Sequence, residues 1–142
     1  MKYKFIGFKG KNNPSFYIVS KFQESFLLTN SLKGIEKDLE NIEDCLDGIL
    51  LFGLKPKLKN QIQVECSYKL NNKVHSTNFN LSQLESIFQD MEVIYNDFPS
   101  NYLCNYAYGL LCKKFKGNVI LIHVPFSKDY AEKIIQCLQK LS

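Results

Sequence analysis

Cys104, His123 and Glu65 are the side chains in this sequence whose types suit nucleophilic acyl chemistry. A thiol becomes a strong nucleophile near neutral pH when a neighbouring base takes its proton. An imidazole can hold that proton and return it, and a carboxylate can orient the imidazole. These residues lie 39 and 19 positions apart, and no spacing rule links them, so only a fold can bring them together.

The elements that would carry them are legible in the pattern. Cys104 falls in the first turn of a predicted helix, Leu103 to Phe115, with Leu103, Tyr106, Ala107, Leu110 and Leu111 as its apolar stripe. Free N–H groups and the helix dipole there are expected to favour the thiolate and lower the thiol pKa below its free value. His123 lies near the end of a predicted buried strand, Val119 to Val124, which Pro125 stops. Glu65 lies on the polar face of a predicted strand, Gln61 to Tyr68, in which Ile62, Val64 and Cys66 alternate with Gln61, Gln63 and Glu65. The residues alone leave two readings open. One is a cysteine hydrolase. The other is a set of structural residues, since a free cysteine is among the most buried types and a core histidine is commonly just hydrogen-bonded.

The rest of the chain reads as alternating strands and helices. Lys2 to Phe8, Ser25 to Thr29, Gly48 to Leu54 and Met91 to Tyr95 are strand-like. Pro14 opens a helix with Asn13 as its cap and Phe16, Tyr17, Val19 and Phe22 following as an apolar stripe. Further helices are expected over Lys33 to Asp44, Leu81 to Gln89 and the stretch holding Tyr130, Ile134, Leu138 and Leu141, and Asn71 to Asn80 reads as polar turn. Such alternation predicts an α/β protein, a three-layer α/β/α sandwich with a mostly parallel central sheet. In these folds ligands collect at the carboxyl ends of the strands, where Cys104 and His123 are expected.

At 142 residues with 45% hydrophobic and 23% charged residues, the chain suits one domain with its own core, residues 1–142. No apolar run approaches the roughly 20 residues that cross a bilayer, and the amino-terminal stretch is too short for a signal peptide, so no membrane partner is expected and a cytoplasmic location is the default. The net charge of +4 comes with 18 lysines and no arginine, which removes the bidentate fork used on guanine edges and phosphates; no nucleic-acid partner is expected, and Lys55, Lys57 and Lys59 read as a solvated loop. Five cysteines, Cys45, Cys66, Cys104, Cys112 and Cys137, form no CxxC pair and accompany two histidines, so neither a disulfide framework nor a zinc site is encoded, and no cofactor is called for.

Three blocks resemble the pyroglutamyl peptidase I (pyrrolidone-carboxylate peptidase) family. Ile6-Gly7-Phe8 through Asn13-Pro14-Ser15 is similar to its opening strand, loop and helix start. Leu51-Phe52-Gly53-Leu54 leading to Ile62-Gln63-Val64-Glu65 is similar to the strand, loop and catalytic-glutamate strand. Asn101-Tyr102-Leu103-Cys104-Asn105-Tyr106 and Leu121-Ile122-His123-Val124-Pro125 look like the nucleophile and histidine motifs. The resemblance implies Cys104 as nucleophile, His123 as general base and then acid, Glu65 as the orienting group, and Phe8, Gly53, Leu54 and Leu103 at the substrate. It implies thiolate attack on an amide carbonyl through an acyl-enzyme, with a peptide or small amide as substrate. Backbone N–H groups around Cys104 would be the oxyanion donors.

The departures bear on the substrate. The chain is shorter than typical members, mostly between Glu65 and Cys104. Gly10-Lys11 replaces a Pro-Phe pair, and Leu54 stands where the family has a Gln that hydrogen-bonds the lactam. Altered or weak pyroglutamyl specificity is therefore expected. The competing expectation is a non-catalytic relative that keeps the fold as a binding or interaction module. The sequence is compatible with a homo-oligomer.

Overall fold

The computed structural model describes residues 3–43 and 47–141. Among the described residues eight strands and five helices follow in the order β1 (Lys4–Phe8), α1 (Pro14–Val19), β2 (Ser25–Leu28), α2 (Leu32–Leu39), β3 (Ile49–Leu54), β4 (Ile62–Glu65), β5 (Ser67–Leu70), β6 (Lys73–Ser76), α3 (Leu81–Ile87), β7 (Val93–Asn96), α4 (Leu103–Lys114), β8 (Val119–Val124) and α5 (Lys128–Gln139), with helices and strands alternating except across the successive strands β3 to β6. Lys2, Asp44 and Cys45, expected in a strand, in a helix and among the unpaired cysteines, lie outside the described residues.

Six strands form one sheet in the order β2-β1-β3-β8-β4-β7. Every neighbouring pair is parallel except β4 with β8. Period-2 alternation along the central strands feeds two cores. Leu50, Phe52, Ile62, Val64, Ile120 and Ile122 pack with residues of α1, α3 and α5, whereas Ile49, Leu51, Val119 and Leu121 pack with residues of α2 and α4. The result is the expected three-layer α/β/α arrangement with a mostly parallel sheet. Among the described residues no helix is long and apolar enough to cross a membrane.

Local chemistry sets the helix starts that matter here. Asn13 caps α1, its Oδ1 accepting from the N–H and the hydroxyl of Ser15, and the Ser15 Oγ in turn accepts from the Phe8 N–H at the end of β1. The buried face of α1 is Pro14, Ser15, Ile18 and Val19, so Ile18 joins the stripe while Phe16 and Tyr17 stay half-buried.

Two expectations are corrected. The predicted strand Gln61 to Tyr68 divides at Cys66, because its N–H donates to Asn96 O while its carbonyl accepts from Thr77 N, turning the chain off the main sheet. Asn71 to Asn80 is not wholly turn. It contains β6, paired with β5 as an antiparallel hairpin around Asn71 and Asn72, both in the left-handed region that asparagine tolerates and a two-residue turn requires. The sequence shows no strand there because all of β6 is solvent-exposed and carries no apolar alternation.

Candidate active site

Alternation along β8 puts Ile120, Ile122 and Val124 on the α1/α5 face, so His123 projects onto the α2/α4 face. The register aligns His123 with Gly53 of β3 on one side and Gln63 of β4 on the other, and Glu65, two residues beyond Gln63, shares that face. The start of α4 sits above them. Cys104 Sγ lies 3.1 Å from His123 Nε2, and His123 Nδ1 lies 3.9 Å from Glu65 Oε2. The three candidates are thus brought together, all within the protein interior.

Gly53 makes the approach of α4 feasible. A Cβ at Gly53 would stand 2.9 Å from Cys104 Cβ and 3.1 Å from Sγ, closer than a side chain tolerates. The α4 terminus has Tyr102 at its cap position with no side-chain cap hydrogen bond, which leaves first-turn N–H groups beside the thiol.

Glu65 is held by neighbours that sequence reasoning does not single out. Gln63 Nε2 donates to Oε2 at 3.0 Å, and Asn96 Nδ2 donates to Oε1 at 3.0 Å. Lys55 Nζ donates to Gln63 Oε1 at 3.0 Å, so Lys55 belongs to this network and not to a solvated loop, although Lys57 and Lys59 are exposed as expected. The Tyr108 hydroxyl of α4 donates to the Glu65 carbonyl at 2.7 Å. Glu65 does point away from the apolar face of β4, but a sheet covered on both sides buries that polar face too, leaving Glu65 1% exposed. At 3.9 Å the carboxylate is near the imidazole without a hydrogen bond to it, and His123 Nδ1 has no partner.

The expected lowering of the Cys104 pKa is reversed. Burial pushes the thiol up to about 11, outweighing the backbone N–H groups of Asn105 and Cys104 that act in the other direction. Burial, aided by the charge of Lys55, pushes the His123 imidazole down to about 4. The helix terminus contributes with the expected sign, but burial is the larger effect. Burial thus biases both the thiol and the imidazole toward their neutral forms.

A cleft of about 190 Å³ opens on the thiol, lined by Phe8, Gly53, Leu54, Leu103 and Cys104, the residues expected at a substrate, and also by Asn13, Asn30 and Tyr102. Asn13 Oδ1 is occupied by Ser15, which leaves its Nδ2 as the donor available to the cleft. Among the described residues no group of three or more His, Cys, Asp and Glu side chains could hold a metal ion.

No protein-family model matches the chain, and no curated protein sequence matches it. Solved structures do. Pyroglutamyl peptidase I from Bacillus amyloliquefaciens superposes with a TM-score of 0.78 at 13% identity, over 96% of this chain and 92% of that one. A mutant pyrrolidone carboxyl peptidase from Pyrococcus furiosus gives 0.72 at 16% identity, over 98% and 95%. The pyrrolidone carboxyl peptidase from Thermus thermophilus gives 0.71 at 14%, over 94% and 90%. At these identities the likeness is one of fold, and this chain has the α/β fold of the pyroglutamyl, or pyrrolidone carboxyl, peptidases.

Proposed function

We propose that this protein is a cysteine hydrolase of amide bonds, acting as a single domain on peptides or small amides. The observation that carries the reading is the 3.1 Å separation of Cys104 Sγ and His123 Nε2 at the uncapped start of α4, beside a cleft. The fold shared with solved pyroglutamyl peptidases supports it.

The chemistry follows from that geometry. His123 Nε2 takes the Sγ proton as sulfur attacks the carbonyl carbon, and first-turn N–H groups of α4 receive the developing oxyanion. The C–N bond breaks, His123 gives the proton to the leaving nitrogen, and the acyl group remains on Sγ. Water, deprotonated by His123, then releases the acid and restores the thiol. Glu65, fixed by Gln63 and Asn96, steadies the imidazolium that forms at each step. Leu54 supplies neither donor nor acceptor to the cleft, so the preferred acyl group is other than pyroglutamyl or is cleaved weakly when pyroglutamyl.

Two observations favour the second reading, a non-catalytic relative. Burial holds both the thiol and the imidazole neutral, and no hydrogen bond joins Glu65 to His123. A panel of fluorogenic aminoacyl and pyroglutamyl amides separates the two. The hydrolase reading expects cleavage of at least one member that is lost in Cys104→Ala. The binding-module reading expects none, with both proteins equally inert.

A further inference from the structure

A second and larger cavity, about 590 Å³, borders the same helix start and is lined by Asn105 and Tyr106 where the smaller cleft is lined by Phe8 and Leu54. Tyr102 and Leu103 line both cavities, so the two meet across the residues that flank Cys104. One wall is the β5–β6 hairpin, and Gly109 of α4 is what lets it come close. A Cβ there would stand 2.4 Å from the Lys69 carbonyl oxygen. The other wall is the start of α2 with Leu32.

Two features of this groove call for a ligand. Asn105, 6% exposed, lines it, and the Nδ2 of that side chain has no hydrogen-bond partner. That atom has almost no exposed surface, and leaving a buried amide donor unmade is costly, which favours a turn of the side chain toward an acceptor that enters. Its Oδ1 meanwhile lies 3.8 Å from Cys104 Sγ, which ties the donor to the reacting atom. Around it Leu32, Tyr102 and Tyr106, 53%, 54% and 36% exposed, turn large apolar surfaces toward the same groove.

We propose that this groove binds the peptide on the leaving-group side of the scissile bond. A main-chain carbonyl of that peptide accepts from Asn105 Nδ2 once the side-chain amide turns into the groove, and an apolar side chain rests among Leu32, Tyr102 and Tyr106. The leaving-group assignment rests on the hydrolase reading above. With the acyl group in the Phe8 and Leu54 cleft, the chain beyond the attacked carbonyl has the Asn105 side of the thiol to occupy. The preferred substrate is accordingly a peptide with an apolar residue after the cleaved bond, and not a small amide alone.

The test is a titration of the full-length Cys104→Ala protein with leucyl-alanyl-alanine amide, a mimic of the released amine, followed by the ¹⁵N resonances of the Asn105 side-chain amide and the Tyr106 and Leu110 backbone. Saturable shifts at these sites, with affinity reduced fivefold or more in Asn105→Leu and in Tyr106→Ala, are expected. Tyr106→Ala decides the matter alone if Asn105→Leu does not fold. Shifts that do not saturate, or affinity unchanged in the folded variants, overturn the groove. The readout needs no turnover, so it separates from the hydrolase reading. Binding here by a wild-type protein that cleaves no amide overturns the leaving-group assignment while upholding the peptide site, and cleavage of amides with no binding here overturns the site alone.

Discussion

A Cβ placed on Gly53 would fall 2.9 Å from the Cβ of Cys104. The missing side chain on β3 is thus what allows α4 to set its thiol against the imidazole of the neighbouring strand. Gly53→Ala should push α4 outward and lengthen the 3.1 Å contact between Cys104 and His123. Small displacements of reacting groups cost about 10²-fold in rate, and overpacking costs about 1–3 kcal/mol. The variant is therefore expected to fold with reduced thermal stability and to lose roughly two orders of magnitude in kcat/KM, measured by unfolding and by amide hydrolysis.

Much of this arrangement is legible in the amino-acid pattern alone. The runs Gly48 to Leu54 and, apart from His123, Val119 to Val124 are apolar because both faces of those strands are covered, and that pattern points to a central sheet. Cys104 and His123 stand out because they fall at element ends. What supports them is less legible. Asn96 reaches Glu65 only because β7 pairs with β4 in a register that sets Glu65 opposite Asn96, and strand order is not written in local periodicity. Gln63 carries a signal, its place two residues before Glu65 on the same face, but an alternating strand looks the same whether its polar face meets water or a helix. The inverted sign of the Cys104 pKa has that origin too, since burial of the site depends on long-range packing.

Acid should weaken the fold through His123. Its pKa is near 4 when folded against 6.5 as a free side chain, so between those values the unfolded chain binds a proton that the folded one does not. Stability from this group is therefore present above about pH 6.5 and lost as the pH falls toward 4. The loss between pH 7 and pH 5 is about 2 kcal/mol on the linkage relation. Urea unfolding at the two pH values should show it, and His123→Gln should reduce the difference by that amount.

The thiol of Cys104 should titrate late. Difference ultraviolet titration of the wild type against Cys104→Ser, reading thiolate absorbance, is expected to place its ionisation near 11. Ionisation below the free value of about 8.5 would mean that helix-terminus donors outweigh burial, and that the resting state is an ion pair. The sign for stability follows. A thiol held protonated in the folded state makes the fold weaker as pH rises through 9 toward 11.

Leu54 should govern the acyl group. Leaving the N–H or C=O of a lactam unpaired against an apolar wall costs roughly 1–3 kcal/mol for each group. Pyroglutamyl aminomethylcoumarin is thus expected to be a poor substrate of the wild type, improved about tenfold or more in Leu54→Gln. Efficient cleavage by the wild type with no gain from Leu54→Gln would place lactam recognition elsewhere in the cleft.

The central claim is that His123 makes Cys104 a nucleophile despite its burial, and acylation by p-nitrophenyl acetate near pH 7 tests it most directly. Cys66 is the more exposed thiol, and burial holds both above their ordinary pKa, so accessibility alone favours Cys66. Proton transfer to an imidazole 3.1 Å away favours Cys104. Peptide mapping by mass spectrometry is predicted to find the acetyl group first on Cys104 in the wild type, with that adduct formed at least about 10²-fold more slowly in His123→Ala. Acetylation of Cys66 ahead of Cys104, unchanged by His123→Ala, would contradict the claim and leave Cys104 a structural thiol.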